Sequence, residues 1–188
     1  MRAREFELAI QKMTESVEAE AISLTRSSPS DLDIRMRELR QGKMLPTGGR
    51  GLNAPAITAD HAATILIALK GSTKSVDAAL AVNHFAELVD GDKSFAEALT
   101  ELLKDQEAAA TVDRVELNRT AISASIFFKD GKVSWYLPPD VDRGDHPEMY
   151  GRGRMYDLGV IGAGALKHAA ILLQETDEDA TGEWVADV

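Results

Sequence analysis

Between Ser30 and Leu69 the chain reads SDLDIRMRELRQGKMLPTGGRGLNAPAITADHAATILIAL. Two segments with helical spacing of apolar residues flank a loop, 46–56, that holds three glycines, two prolines and one arginine. This order predicts a helix over 31–41, an irregular loop and a second helix over 59–69. Ser30 suits the N-cap of the first helix, Asp31 its first turn, and Gly42 its end. Leu32, Met36 and Leu39 then share the inner face. Ile34, Arg37 and Gln41 point away from that face, with Arg35 and Arg40 on its flanks. Thr58 caps the second helix, Asp60 lies in its first turn, and Ala62, Ile65, Leu66 and Leu69 form its buried face.

Charge makes this stretch unusual in its chain. The 188 residues carry a net charge of −10. From Ile34 to Ala56, however, Arg35, Arg37, Arg40, Lys43 and Arg50 face Glu38 alone, a local charge of +4. The segment from Glu175 to Val188 is the opposite, with six acids and no base. A strongly acidic chain does not coat nucleic acid with its whole surface, but a local basic face acts over its own screening length of about 10 Å. The absence of cysteine excludes disulfides, thiolate metal sites and cysteine nucleophiles, and suits a cytoplasmic setting. No apolar run approaches the roughly 18 residues a membrane helix needs, and the charged start MRAREFELAI does not read as a signal peptide.

Residues 4–24 place Phe6, Ile10, Met13, Val17, Ala21 and Leu24 at helical spacing. A further helix is predicted over 73–89 through Val76, Leu80, Phe85 and Leu88, and another through Phe95, Leu99, Leu102 and Leu103. The period then changes to strands around Val112, Arg114–Leu117 and Ile122–Phe128. Asp130-Gly131, between IFFK and KVSWYL, marks a hairpin. Another strand is expected over 155–161 and a helix over 164–174. The fold class expected is α+β: a helical winged helix-turn-helix over 1–71, a helical linker or assembly region over 72–106, an α+β domain over 107–175 with a β-hairpin and a C-terminal helix, and an acidic tail over 176–188.

Met36-Arg37 with Leu39, then Met44-Leu45-Pro46, then Arg50, then Ile57-Thr58 with Asp60, form an order that resembles the MerR-type winged helix-turn-helix. That pattern has an apolar residue and arginine in the recognition helix, a Gly-Leu-Leu-Pro-like exit, a basic wing, and a Thr-acid opening of the next helix. The match spans about 45 of the 188 residues. Lys43 stands where the family usually has glycine, and the wing has Asn53-Ala54-Pro55 in place of Gly-Tyr-Arg. The resemblance implies that Arg37 and Arg50 approach the DNA backbone.

The residues expected to meet DNA are therefore Arg35, Arg37, Arg40, Gln41, Lys43, Thr47, Arg50 and Asn53. Arg37, Arg40 and Gln41 would face the groove, Lys43 the phosphates, and Arg50 the adjacent backbone. The function expected is sequence-specific binding of double-stranded DNA, as a bacterial or phage transcriptional regulator. A homodimer or larger homo-oligomer would multiply an interface that is small in one copy. Two alternatives remain: a packaging protein like a phage terminase small subunit, binding DNA as a ring, and a protein-binding module or small enzyme. The leading reading requires no catalytic group, cofactor or metal.

Other groups compete. Gly159-Val160-Ile161-Gly162-Ala163-Gly164 resembles a dinucleotide-binding loop, but Lys167 takes the place of the third glycine and about 20 residues remain after it, too few for a second βαβ unit. None of His61, His84, His146 and His168 has metal-ligand spacing to another. His146 lies in a loop with Asp142, Asp145 and Glu148 that could hold a cation weakly. Arg143, Arg152 and Arg154 with Tyr150 and Tyr156 form a second basic-aromatic patch.

Overall fold

The computed structural model describes residues 29–47, 55–141 and 157–181, with side chains to Gln174. The helix expected over 4–24, Arg50, Asn53, and the groups around His146 and Arg152 lie outside the described residues.

Helix α1 (Pro29–Gln41) buries Leu32, Met36 and Leu39, the expected face. Its end is a Schellman-type turn: the amide of Met44 donates to Leu39 O at 2.9 Å and that of Lys43 to Arg40 O at 3.1 Å. Lys43, not Gly42, takes the left-handed position, with φ 58°. Helix α2 (Ala59–Gly71) opens on Thr58 as expected, and His61 completes a capping box from the third helical position. Ala62, Ile65, Leu66, Ile67 and Ala68 are all buried, because α2 is central and packs against α1, the later helices and the sheet.

The helix expected over 73–89 is a 3-10 turn, Ser75–Asp77, followed by a short helix α3, Ala78–Phe85. The turn resets the helical phase. Ala78, Ala81, Val82 and Phe85 face inward, while Val76 and Leu80 stay 61% and 52% exposed. Close approach of α2 decides this. A Cβ on Gly71 would stand 3.0 Å from the Phe85 ring and 3.2 Å from Ala81, so α2 and α3 meet closely along this inner face.

A two-residue hairpin follows, β1 (Val89–Asp90) and β2 (Lys93–Ser94), turning at Gly91 with φ 67°. Helix α4 (Phe95–Lys104) starts on a Ser94/Glu97 capping box, and α5 (Gln106–Thr111) on Asp105, which accepts from the amides of Glu107 and Ala108. Ser94's backbone and hydroxyl donate to the Glu97 carboxylate and hold its pKa below the usual value.

Strands β3 (Val112–Asn118), β4 (Ser123–Phe128) and β5 (Val133–Tyr136) form an antiparallel meander, and β6 (Leu158–Gly162) pairs with the free side of β3. The order is β5-β4-β3-β6. The β4–β5 turn is the expected one, with Gly131 at φ 89°. Helix α6 (Ala163–Thr181) buries Leu166, Ala169, Ala170 and Leu173.

The fold is thus α+β, with helices before the sheet. One hydrophobic core runs from Leu32 to Leu173 among the described residues. The divisions expected at 71/72 and 106/107 both fall inside it: α2 packs on α4, β3 and β6, and α5 leads straight into β3. The tail expected from 176 is helical as far as Thr181.

Candidate nucleic-acid interface

Helix α1 positions half of the expected DNA contacts, and it divides them. Residues 32, 35, 36 and 39 follow helical spacing, so position 35 belongs to the inner seam and not to its flank. Arg35 is only 5% exposed. Its Nη1 donates to Ala68 O at 2.9 Å and to Ser72 Oγ, and its Nη2 reaches Ser72 O at 3.4 Å and Thr73 O at 3.5 Å. The last carbonyls of a helix have no partner within it, and their dipole favours a cation. Arg35 therefore ties α1 to the C-terminal end of α2 and is withdrawn from any groove, a correction to its expected role. Burial lowers its pKa, opposed by Asp31, with Arg119 lowering it further and Asp77 opposing. Its Nε is a buried polar atom without a partner.

The other described candidates face outward. Arg37 has a 62% exposed side chain, and among the described residues its ion pair is a loose contact of 3.9 Å to Glu38. Gln41, Lys43 and Thr47 are exposed, and Arg40 is half-buried. Asp33 is exposed one turn before Arg37, so the basic character belongs to the second half of α1 and the segment after it. The Schellman turn aims Lys43 from the helix end, at the point where the chain departs toward the basic loop.

In the glycine-rich segment near residue 160, one glycine is required by packing. Gly159 lies within β6, opposite Leu117. A Cβ there would overlap Lys70 O and stand 2.8 Å from Nη1 of Arg119. Around Gly162 and Gly164 the space is open, so nothing there requires a missing side chain. Arg119 donates to Lys70 O at 2.6 Å and to Leu158 O at 2.9 Å, and it pairs with the Asp157 carboxylate through Nε and Nη2. The backbone of Asp157 is held as well, by the Arg119 amide and Thr120 Oγ1. This clamp has no local signature, because Arg119 and Asp157 are far apart in sequence. Burial, then Arg119 and Arg35, lower the pKa of Lys70.

His61 serves the α2 cap, while His84 and His168 are exposed. No group of three or more histidines and carboxylates is placed to hold a metal among the described residues. No described helix is long and apolar enough to cross a membrane. Comparison with known proteins finds no match: no family model, no curated protein and no solved structure.

Proposed function

We propose that this protein binds double-stranded DNA sequence-specifically through the second half of α1 and the basic loop after it, as a homodimeric transcriptional regulator. The observation that carries the reading is the outward edge of α1. Arg37, Gln41 and Lys43 stand in solvent beside Arg40, at the end of the helix from which the loop containing Arg50 departs. They form a basic edge on a chain of net charge −10. The resemblance to the MerR-type winged helix-turn-helix supports Arg37 and Arg50 among these residues. With Arg35 in the core, one copy offers Arg37, Arg40, Lys43 and Arg50, with Thr47, Gln41 and Asn53 as neutral contacts. Four cations, were each to neutralise one phosphate, give a salt slope of at most about −3.6 in one copy, which is modest, and a two-fold pair doubles it.

The test is selection of bound DNA from a random pool, followed by affinity as a function of salt. The selected sites should be palindromic. Arg37→Ala and Arg50→Ala should each reduce the slope by about 0.9 per copy. Unchanged affinity and slope in both variants would rule the reading out.

A further inference from the structure

Helices α2 and α6 pack on β3 and β6. Beside them, between α4–α5 and the β4–β5 hairpin, runs a cleft of about 430 Å³. Its apolar lining comes from Leu102, Ala108, Ile126 and Phe128. Tyr136 lines it too, although only 4% of that residue is exposed. Burial, Asp90 and Glu101 push the Tyr136 hydroxyl up to about 12, against a hydrogen bond from Ser134. Those three neighbours all line the cleft, so the phenol tip lies at its wall and stays protonated.

We propose that this cleft is a binding site for a small organic cation, an amidinium or ammonium group on an apolar body. Three observations on different elements converge on that class. The size lies within the roughly 300–1,000 Å³ typical of small-molecule sites, and an apolar floor is ringed by an equal number of polar and charged residues. The rim carries Asp90, Glu101 and Asp105, against Lys93, which pairs with Glu101, and Lys132. The wall already attracts a cation: Lys132 Nζ stands 5.6 Å from the centroid of the Phe128 ring. A cationic head would find carboxylates and aromatic faces there, and its body would cover Leu102, Ala108 and Ile126. An anion would meet the rim carboxylates.

Benzamidine and its neutral isostere benzamide separate charge from shape, with benzoate as the anion. They are titrated into the full chain, and backbone amide signals are followed by NMR. Benzamidine should give saturable shifts at Leu102, Ala108, Ile126 and Tyr136, and bind about tenfold more tightly than benzamide. Benzoate should give none. Two substitutions at exposed rim positions should move the benzamidine affinity in opposite directions, Glu101→Gln weakening it and Lys132→Glu tightening it. Absence of saturable shifts, equal binding of benzamide, or shifts confined to another surface would each overturn the proposal. The wild-type comparison requires no variant to fold.

Discussion

Gly159 and Lys70 fix how β6 meets the end of α2. The strand passes so close that a Cβ on Gly159 would overlap the Lys70 carbonyl oxygen and stand 2.7 Å from its carbon. Arg119 donates to the same oxygen. Gly159→Ala must push the two elements apart and weaken that hydrogen bond, so it should cost about 3 kcal/mol. Gly162→Ala, three residues later in the same strand with open space around it, should change stability by no more than about 1 kcal/mol. Urea unfolding of the two variants checks this, and equal effects would show that close approach is not the reason for glycine at 159.

Arg35 and Arg37 should separate structure from binding. Removing the Arg35 guanidinium leaves the carbonyls of Ala68 and Ser72 and the Ser72 hydroxyl short of a donor in a buried place. Arg35→Ala should therefore cost about 2–4 kcal/mol, and Arg35→Lys should recover little, since an ammonium does not reproduce the planar fork. Arg37→Ala should stay within about 0.5 kcal/mol of wild type while weakening DNA binding. Denaturant midpoints and DNA titrations on both variants settle which arginine does which task.

This pair also shows what the sequence could reveal. The start of α2 and the β4–β5 turn were legible because caps and turns are local: Thr58 and Asp130 act on their own neighbours. By contrast, α1 begins at Pro29, ahead of the expected cap Ser30, and Asp31 accepts from the distant Ser75 hydroxyl. The apolar residues of α4 and α6 were legible by spacing. Position 35 was on the seam by the same spacing, but a charged residue reads as exposed unless its distant acceptors are known. Val76 and Leu80 misled for the converse reason: their apolar character was plain, but the 3-10 turn and the contact of Gly71 with Phe85 selected an alanine face instead. The Arg119–Asp157 clamp depends on β3 and β6 becoming neighbours, which no local pattern encodes.

That clamp predicts a pH dependence. Hydrogen bonds from Arg119 hold the Asp157 pKa below its ordinary value, against a smaller opposing effect of burial. A carboxyl with a depressed folded pKa stabilises the fold above its unfolded pKa of about 3.9, and this contribution fades as pH falls through the folded pKa. Asp157→Asn should therefore be less stable than wild type at neutral pH, with the two stability curves converging in acid below that range. Denaturant unfolding from neutral pH into acid checks the sign. A gap that widens in acid would contradict the assignment.

Lys43 links the stability of α1 to the proposed interface. It occupies the left-handed position of the helix-ending turn, where a residue with a Cβ is strained by about 1–2 kcal/mol and glycine is not. Glycine costs more entropy on folding, which offsets part of that gain. Lys43→Gly should raise stability by about 0.5–1 kcal/mol and at the same time lower the DNA salt slope by about 0.9 per copy, because a phosphate contact is lost. Gly42→Ala, at a position without a left-handed φ, should also raise stability by about 0.4–1 kcal/mol but leave the salt slope unchanged. Its Cβ would meet Ala79 and the Glu38 carbonyl at 3.4 Å, an ordinary contact, and no charge changes. A strained lysine kept at a glycine position is what a functional side chain there would require. If Lys43→Gly stabilises the protein and leaves DNA binding and its salt slope untouched, the lysine has no part in the interface, and Arg37, Arg40 and the loop after α1 must carry it without Lys43.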